Sequence, residues 1–189
     1  MNRLMALIQR EFIENRGAIR TTPIVIGALY IIGALMTIWT TVHFDNDLYS
    51  FKEGVRMMAE VPEETRGALI YGSNLLGGSL LFTFVLSVVI FFYLLGALYD
   101  DRKDRSILFW KSLPASDTIT LLSKLLTAMV LIPLVFWAVY VATQIVTISI
   151  ASGMVMYAGE NPWTLFIALG QPLKAWFMVL ASWLAFSIW

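Results

Sequence analysis

The sequence predicts an all-α integral membrane protein, a helical bundle of about four spans with an N-terminal interfacial helix. Three observations predict it. Of 189 residues, 59% are hydrophobic and 14% charged, with a mean hydropathy of +0.76. An average soluble domain is about 45–50% apolar and about 25% charged, so these few charges cannot cover a water-facing surface. The charges are also bunched, leaving uncharged stretches at 21–44, 67–99, 125–159 and 175–189. A hydrocarbon core of ~30 Å needs ~20 helical residues, and the first three stretches each exceed that.

The first element is an amphipathic helix over 3–16. Leu4, Met5, Ile8 and Phe12 share one face, with Arg3, Arg10 and Glu14 opposite. Ile13 and Glu11 break that pattern. Such a helix suits the membrane interface, turning into the first span at Pro23. The first span is expected near 23–42. A cleaved signal peptide is the alternative for this run, but the run is too long and no A-x-A site follows Val42.

An acidic, polar loop follows over 43–74, where residues 47–60 can form a short helix. His43 beside Asp45 is the ordinary histidine of a span end. The second span is expected near 75–98 and the third near 125–150, with Pro133 kinking the third. A fourth is expected near 172–189. The chain stops at Trp189 inside that apolar run, so residues 1–189 are expected to be the N-terminal part of a single transmembrane domain.

Orientation follows from basic residues near the span ends. The N-terminus and the 100–124 loop carry nine Lys and Arg, the 43–74 and 153–174 segments four. The N-terminus and the 100–124 loop are therefore expected in the cytoplasm and the acidic 43–74 loop outside.

The composition also excludes functions. Thirteen basic residues balance thirteen acidic ones, and cysteine is absent. No basic excess exists for nucleic acid, no thiolate can bind metal, and a single histidine leaves no triad. The chain contains no G-x-x-x-x-G-K-[ST], H-E-x-x-H or G-x-S-x-G, so it is expected to be no enzyme and to hold no cofactor or metal of its own.

Two sets of residues are candidates for function. In the 100–124 loop, six charges from Asp100 to Arg105 precede an apolar group, Ile107, Leu108, Phe109 and Trp110, and Leu113-Pro114 ends the segment. Ser116 can cap the next helix, with Asp117 in its first turn. Exposed aromatics beside mixed charge suit docking of a soluble partner, and on composition alone the interfacial aromatic belt suits them equally. Within the spans, Ser79, Thr83 and Ser87 recur every four residues, and Gln144 and Thr147 form a similar face. These can line a substrate path, or serve as helix-packing hydrogen bonds.

The run YDDRKDRSILFWKSLPASDTITLLSKLLTA (99–128) resembles the segment between the second and third spans of bacterial type-2 ABC transporter permeases. The opening LIQREFIENRGAIRTTPIV (7–25) resembles that family's N-terminal helix, with its Arg-Glu pair and its proline at the membrane. The stretch D-R-x-x-R-S-I-L-F-W-K-S-L-P carries the specificity. The resemblance implies about six spans in the full chain, two permease units paired as copies or paralogues, and separate ATPase subunits that bind the ATP. It implies a cytoplasmic coupling helix at about 106–113, with Ile107, Leu108, Phe109, Trp110 and Leu113 as contacts, flanked by Asp101, Arg102, Asp104 and Arg105. The expected protein is thus the permease subunit of an ABC-type exporter in the bacterial inner membrane. Competing readings are a non-transporting scaffold that recruits a cytoplasmic protein through the same loop, and a membrane-embedded enzyme.

Overall fold

The computed structural model describes residues 3–43, 45–62, 65, 78–103, 117–157, 159 and 170–188. Among them there is no strand. The helices are α1 (Arg3–Glu14), α2 (Thr22–His43), α3 (Asp45–Glu60), α4 (Leu80–Lys103), α5 (Asp117–Leu126), α6 (Ile132–Tyr157) and α7 (Gly170–Ile188). Three helical stretches are long and apolar enough to cross a membrane: Gly17–His43, Leu80–Ala97 and Thr118–Tyr157. In α7 the apolar part, Trp176–Phe186, is shorter than a span. The helix expected over 47–60 begins two residues earlier, at Asp45.

Two long helical runs lie side by side and point the same way. Backbone bonds from Asn15 N to Glu11 O and from Ile19 N to Asn15 O, both 3.0 Å, carry the helix of α1 on toward α2. Likewise α5 continues into α6. Each junction is a widened turn, Gly17–Thr21 and Thr127–Leu131, two residues before a proline. Prolines 23 and 133 have no N–H, and each ring crowds the carbonyl four residues back. Widening the helix by one residue relieves that crowding. Accordingly the Thr22 N–H bonds Gly17 O and the Ile132 N–H bonds Thr127 O, five residues back in each case. The Thr22 hydroxyl donates to the same Gly17 carbonyl at 3.2 Å. Hydroxyls that take up such carbonyls make proline tolerable where water is scarce.

Helix α1 packs on α5 and α2 on α6. Helix α4 runs the opposite way against both. Gly78, two residues before its start, meets Tyr30, Tyr140 and Gln144, while Tyr93, further along, meets Glu11. On α4 the buried residues Phe82, Leu86, Ile90 and Tyr93 recur at helical spacing. They close on Ile132, Phe136 and Tyr140 of α6, with Ile19 from the first widened turn. Helix α7 joins through Val179 and Trp183.

Along the helices long enough to cross a membrane, the outward surface is apolar. Phe84 is 71% exposed and Phe91 62%, and α2 turns Ile24, Leu29, Ile32, Met36 and Trp39 outward. Ser123, Thr127, Thr143 and Gln144 are meanwhile buried. An apolar exterior around a partly polar interior suits lipid as the solvent, because association there rests on close packing and hydrogen bonds.

Helices α2 and α6 approach closely at Gly27. A Cβ there would stand 2.6 Å from Thr143 Oγ1 and 3.3 Å from Val139 Cγ1, whereas Gly33 has open space. Gly27→Leu is therefore expected to force α2 and α6 apart at a cost of about 2 kcal/mol, in the usual range for overpacking. Thermal unfolding in detergent, followed by circular dichroism, should show a lowered midpoint for Gly27→Leu and none for Gly33→Leu.

Candidate functional site

The conspicuous polar cluster of the described residues lies where α1, α4 and α5 meet. On α1, Leu4, Leu7, Ile8, Glu11, Phe12 and Asn15 are the partly buried positions, while Met5 is 67% exposed. The inward face is thus turned by about one residue from the purely apolar face expected of 3–16, and Glu11 lies in its middle. The cause is pairing. The Lys124 ammonium stands 3.6 Å from Glu11 Oε1, with the two side chains 11% and 12% exposed. Tyr93 Oη donates to Glu11 Oε2 at 3.0 Å, and the Asn15 amide donates to the same oxygen at 3.5 Å. Lys124 Nζ also donates to the carbonyl of Ala97 at 2.6 Å. A carboxylate and an ammonium removed from water are tolerated only when paired and hydrogen-bonded, and both conditions hold here.

This clasp joins both stems of the 100–124 loop. Tyr93 and Ala97 lie on α4 just before it, and Lys124 on α5 just after it. Helix α4 continues to Lys103 and α5 starts at Asp117, so the loop's two ends are helical and the clasp ties them to α1. Asp101 and Arg102 fall in the last turn of α4. Asp104, Arg105, Ile107, Leu108, Phe109, Trp110 and Leu113 lie outside the described residues.

Composition held the signal for this cluster. Glu11 interrupts an otherwise amphipathic helix, and Lys124 is the lone charge between Asp117 and Glu160. A single charge in an apolar helix needs a partner. Which partner is a matter of tertiary structure.

The polar residues proposed for a substrate path sit among packed helices. The Thr83 hydroxyl donates to Ser79 O at 2.6 Å and that of Ser87 to Thr83 O at 2.8 Å. Thr83 Oγ1 in turn accepts the indole N–H of Trp183 at 2.7 Å, which fastens α7 to α4. Gln144 is buried, 1% exposed. The Thr147 hydroxyl bonds the carbonyls of Thr143 and Gln144 at 3.1 and 3.0 Å. The structure brings Ser79 and Thr83 to the same end of the bundle as Gln144, since neighbouring Gly78 abuts Gln144 Nε2. Of these bonds, that from Trp183 to Thr83 crosses between helices, and the others lie within one helix.

Among the described residues no group of three or more His, Cys, Asp or Glu side chains gathers as metal ligands. The clasp ties α1, α4 and α5 together. No protein family, curated protein or solved structure matches the chain.

Proposed function

We propose that this chain is a permease subunit of an ATP-driven exporter, with its N-terminus and its 100–124 loop in the cytoplasm of a bacterium and the bundle in the inner membrane. The observation that carries the reading is the D-R-x-x-R-S-I-L-F-W-K-S-L-P stretch from Asp101 to Pro114. It unites a charged stem, an aromatic docking group and a proline stop between two apolar helices.

The placement of the clasp supports the same reading. A separate ATPase subunit pressing on Phe109 and Trp110 moves the ends of α4 and α5 together, because Lys124 bonds both Ala97 and Glu11. Glu11 passes the displacement to α1, which leads into the first span. The widened turns at 17–21 and 127–131 lie just beyond the clasp, where the two parallel helices leave the regular α-helical bonding pattern. The substrate path runs between this permease and a second copy or paralogue, with ATP bound by the partner subunits alone.

The test is co-purification of the tagged full-length protein from mild-detergent membranes. A stoichiometric partner carrying G-x-x-x-x-G-K-[ST], lost on Phe109→Ala plus Trp110→Ala, is the expected result. A partner without that motif, bound through the same residues, would replace the permease with a scaffold that recruits a cytoplasmic protein.

A further inference from the structure

Beside the contact of α2 with α6 lies an open groove of about 450 Å³. Ile24, Ala28 and Ile31 form one wall, and Val139, Ala142 and Val146 the other. All six are apolar. One turn before Ile24 stands Arg20, and one turn before that Arg16. By helical spacing these positions share one side with Ile24, Ala28 and Ile31. Both arginines are exposed. Among the described residues neither has a carboxylate partner, in contrast to Arg10, which pairs with Glu14 at 2.6 Å.

Length agrees with the bilayer. From Arg20 to Ile31 is a rise of about 16 Å at the helical pitch, close to half of a ~30 Å hydrocarbon core. The groove therefore runs from two cations to the membrane midplane, one leaflet deep. Helical side chains lean toward the N-terminus, so the guanidinium groups project below the groove's mouth, at the depth of lipid headgroups. Two guanidinium forks spaced one turn apart match a phosphate, which accepts bidentate donors.

We propose that Arg16, Arg20 and this groove form a binding site for an anionic phospholipid of the leaflet on the N-terminal side. The arginines hold the phosphate and an acyl chain lies along the groove. A second copy of the chain, packed here about a two-fold axis along the membrane normal, would bring its own Arg16 and Arg20 to the same level and set like charges together. The site requires only that α2 cross a bilayer, and it goes beyond the transport reading without resting on it.

The test is native mass spectrometry of the purified full-length protein, incubated in detergent with equal concentrations of phosphatidylglycerol or phosphatidylcholine. Phosphatidylglycerol is expected to be retained about tenfold better, given two arginines at a headgroup. Arg16→Gln with Arg20→Gln should reduce it to the phosphatidylcholine level. Ala142→Phe, which fills the open groove, should reduce retention of both lipids with the unfolding midpoint unchanged. Equal retention of the two lipids by the unaltered protein overturns the proposal, as does a preference that survives loss of both arginines. A change in oligomer size on Ala142→Phe with lipid retention unchanged would assign the groove to a second copy instead. No ATPase enters these measurements, so their failure leaves the permease reading standing, and failure of the co-purification leaves the lipid site standing.

Discussion

Lys124→Met is expected to destabilise the protein by about 3 kcal/mol, the low end of what breaking a buried ion pair costs. The substitution keeps the length and apolar stem of the side chain and removes only the ammonium. Glu11 then remains 12% exposed, with the Tyr93 hydroxyl and the Asn15 amide as its donors and no counter-charge among the described residues. The Ala97 carbonyl loses its 2.6 Å partner as well. Adding Glu11→Gln should restore most of the loss, because a neutral amide in the same place carries no uncompensated charge. Unfolding of the four proteins of this double-mutant cycle, in one detergent, should yield a coupling of about 2 kcal/mol. Additive effects of the two substitutions would mean that water, and not the pairing, satisfies these groups.

Phe109→Ala with Trp110→Ala is expected to abolish coupled transport while insertion and the unfolding midpoint stay as they were. Aromatic anchors at the centre of an interface typically contribute 2 kcal/mol or more each when truncated, which corresponds to about thirtyfold or more in partner affinity. In proteoliposomes holding this chain and the ATPase subunit proposed as its partner, ATP hydrolysis should fall to the rate of the ATPase alone. Lys124→Met should differ in kind: the partner still binds, but hydrolysis and transport cease to track one another, because the docking residues are intact and the tie to α1 is cut. Unaltered transport in the aromatic double variant would remove the coupling role from this loop.

The three longest apolar helices were legible from the distribution of charge. Lipid demands about 20 consecutive residues without charge, and that demand is written along the chain itself. The prolines announced local irregularity, and their missing N–H groups place the widened turns two residues before them. The inward face of α1 was not legible in the same way. Amphipathic spacing marks Glu11 as an exception to the apolar face of Leu4, Ile8 and Phe12 and gives no reason for it. The folded chain turns it inward because Tyr93, 82 residues away, and Lys124 on α5 converge on it. A similar limit applies to Thr83, whose spacing with Ser79 and Ser87 looks like a continuous polar face. In the bundle its hydroxyl meets an indole 100 residues distant.

By itself, then, the sequence determined that this chain is helical and that it carries helices apolar enough for a bilayer. Hydrophobic length, charge clustering and proline chemistry are local properties. Only the tertiary structure decided which polar groups meet: Glu11 with Lys124, Gly27 with Thr143, and the groove between α2 and α6 above Arg16 and Arg20. Two residues on different helices become partners through the relative rotation and register of those helices, which follow from packing of the whole bundle and not from any one helix's own periodicity.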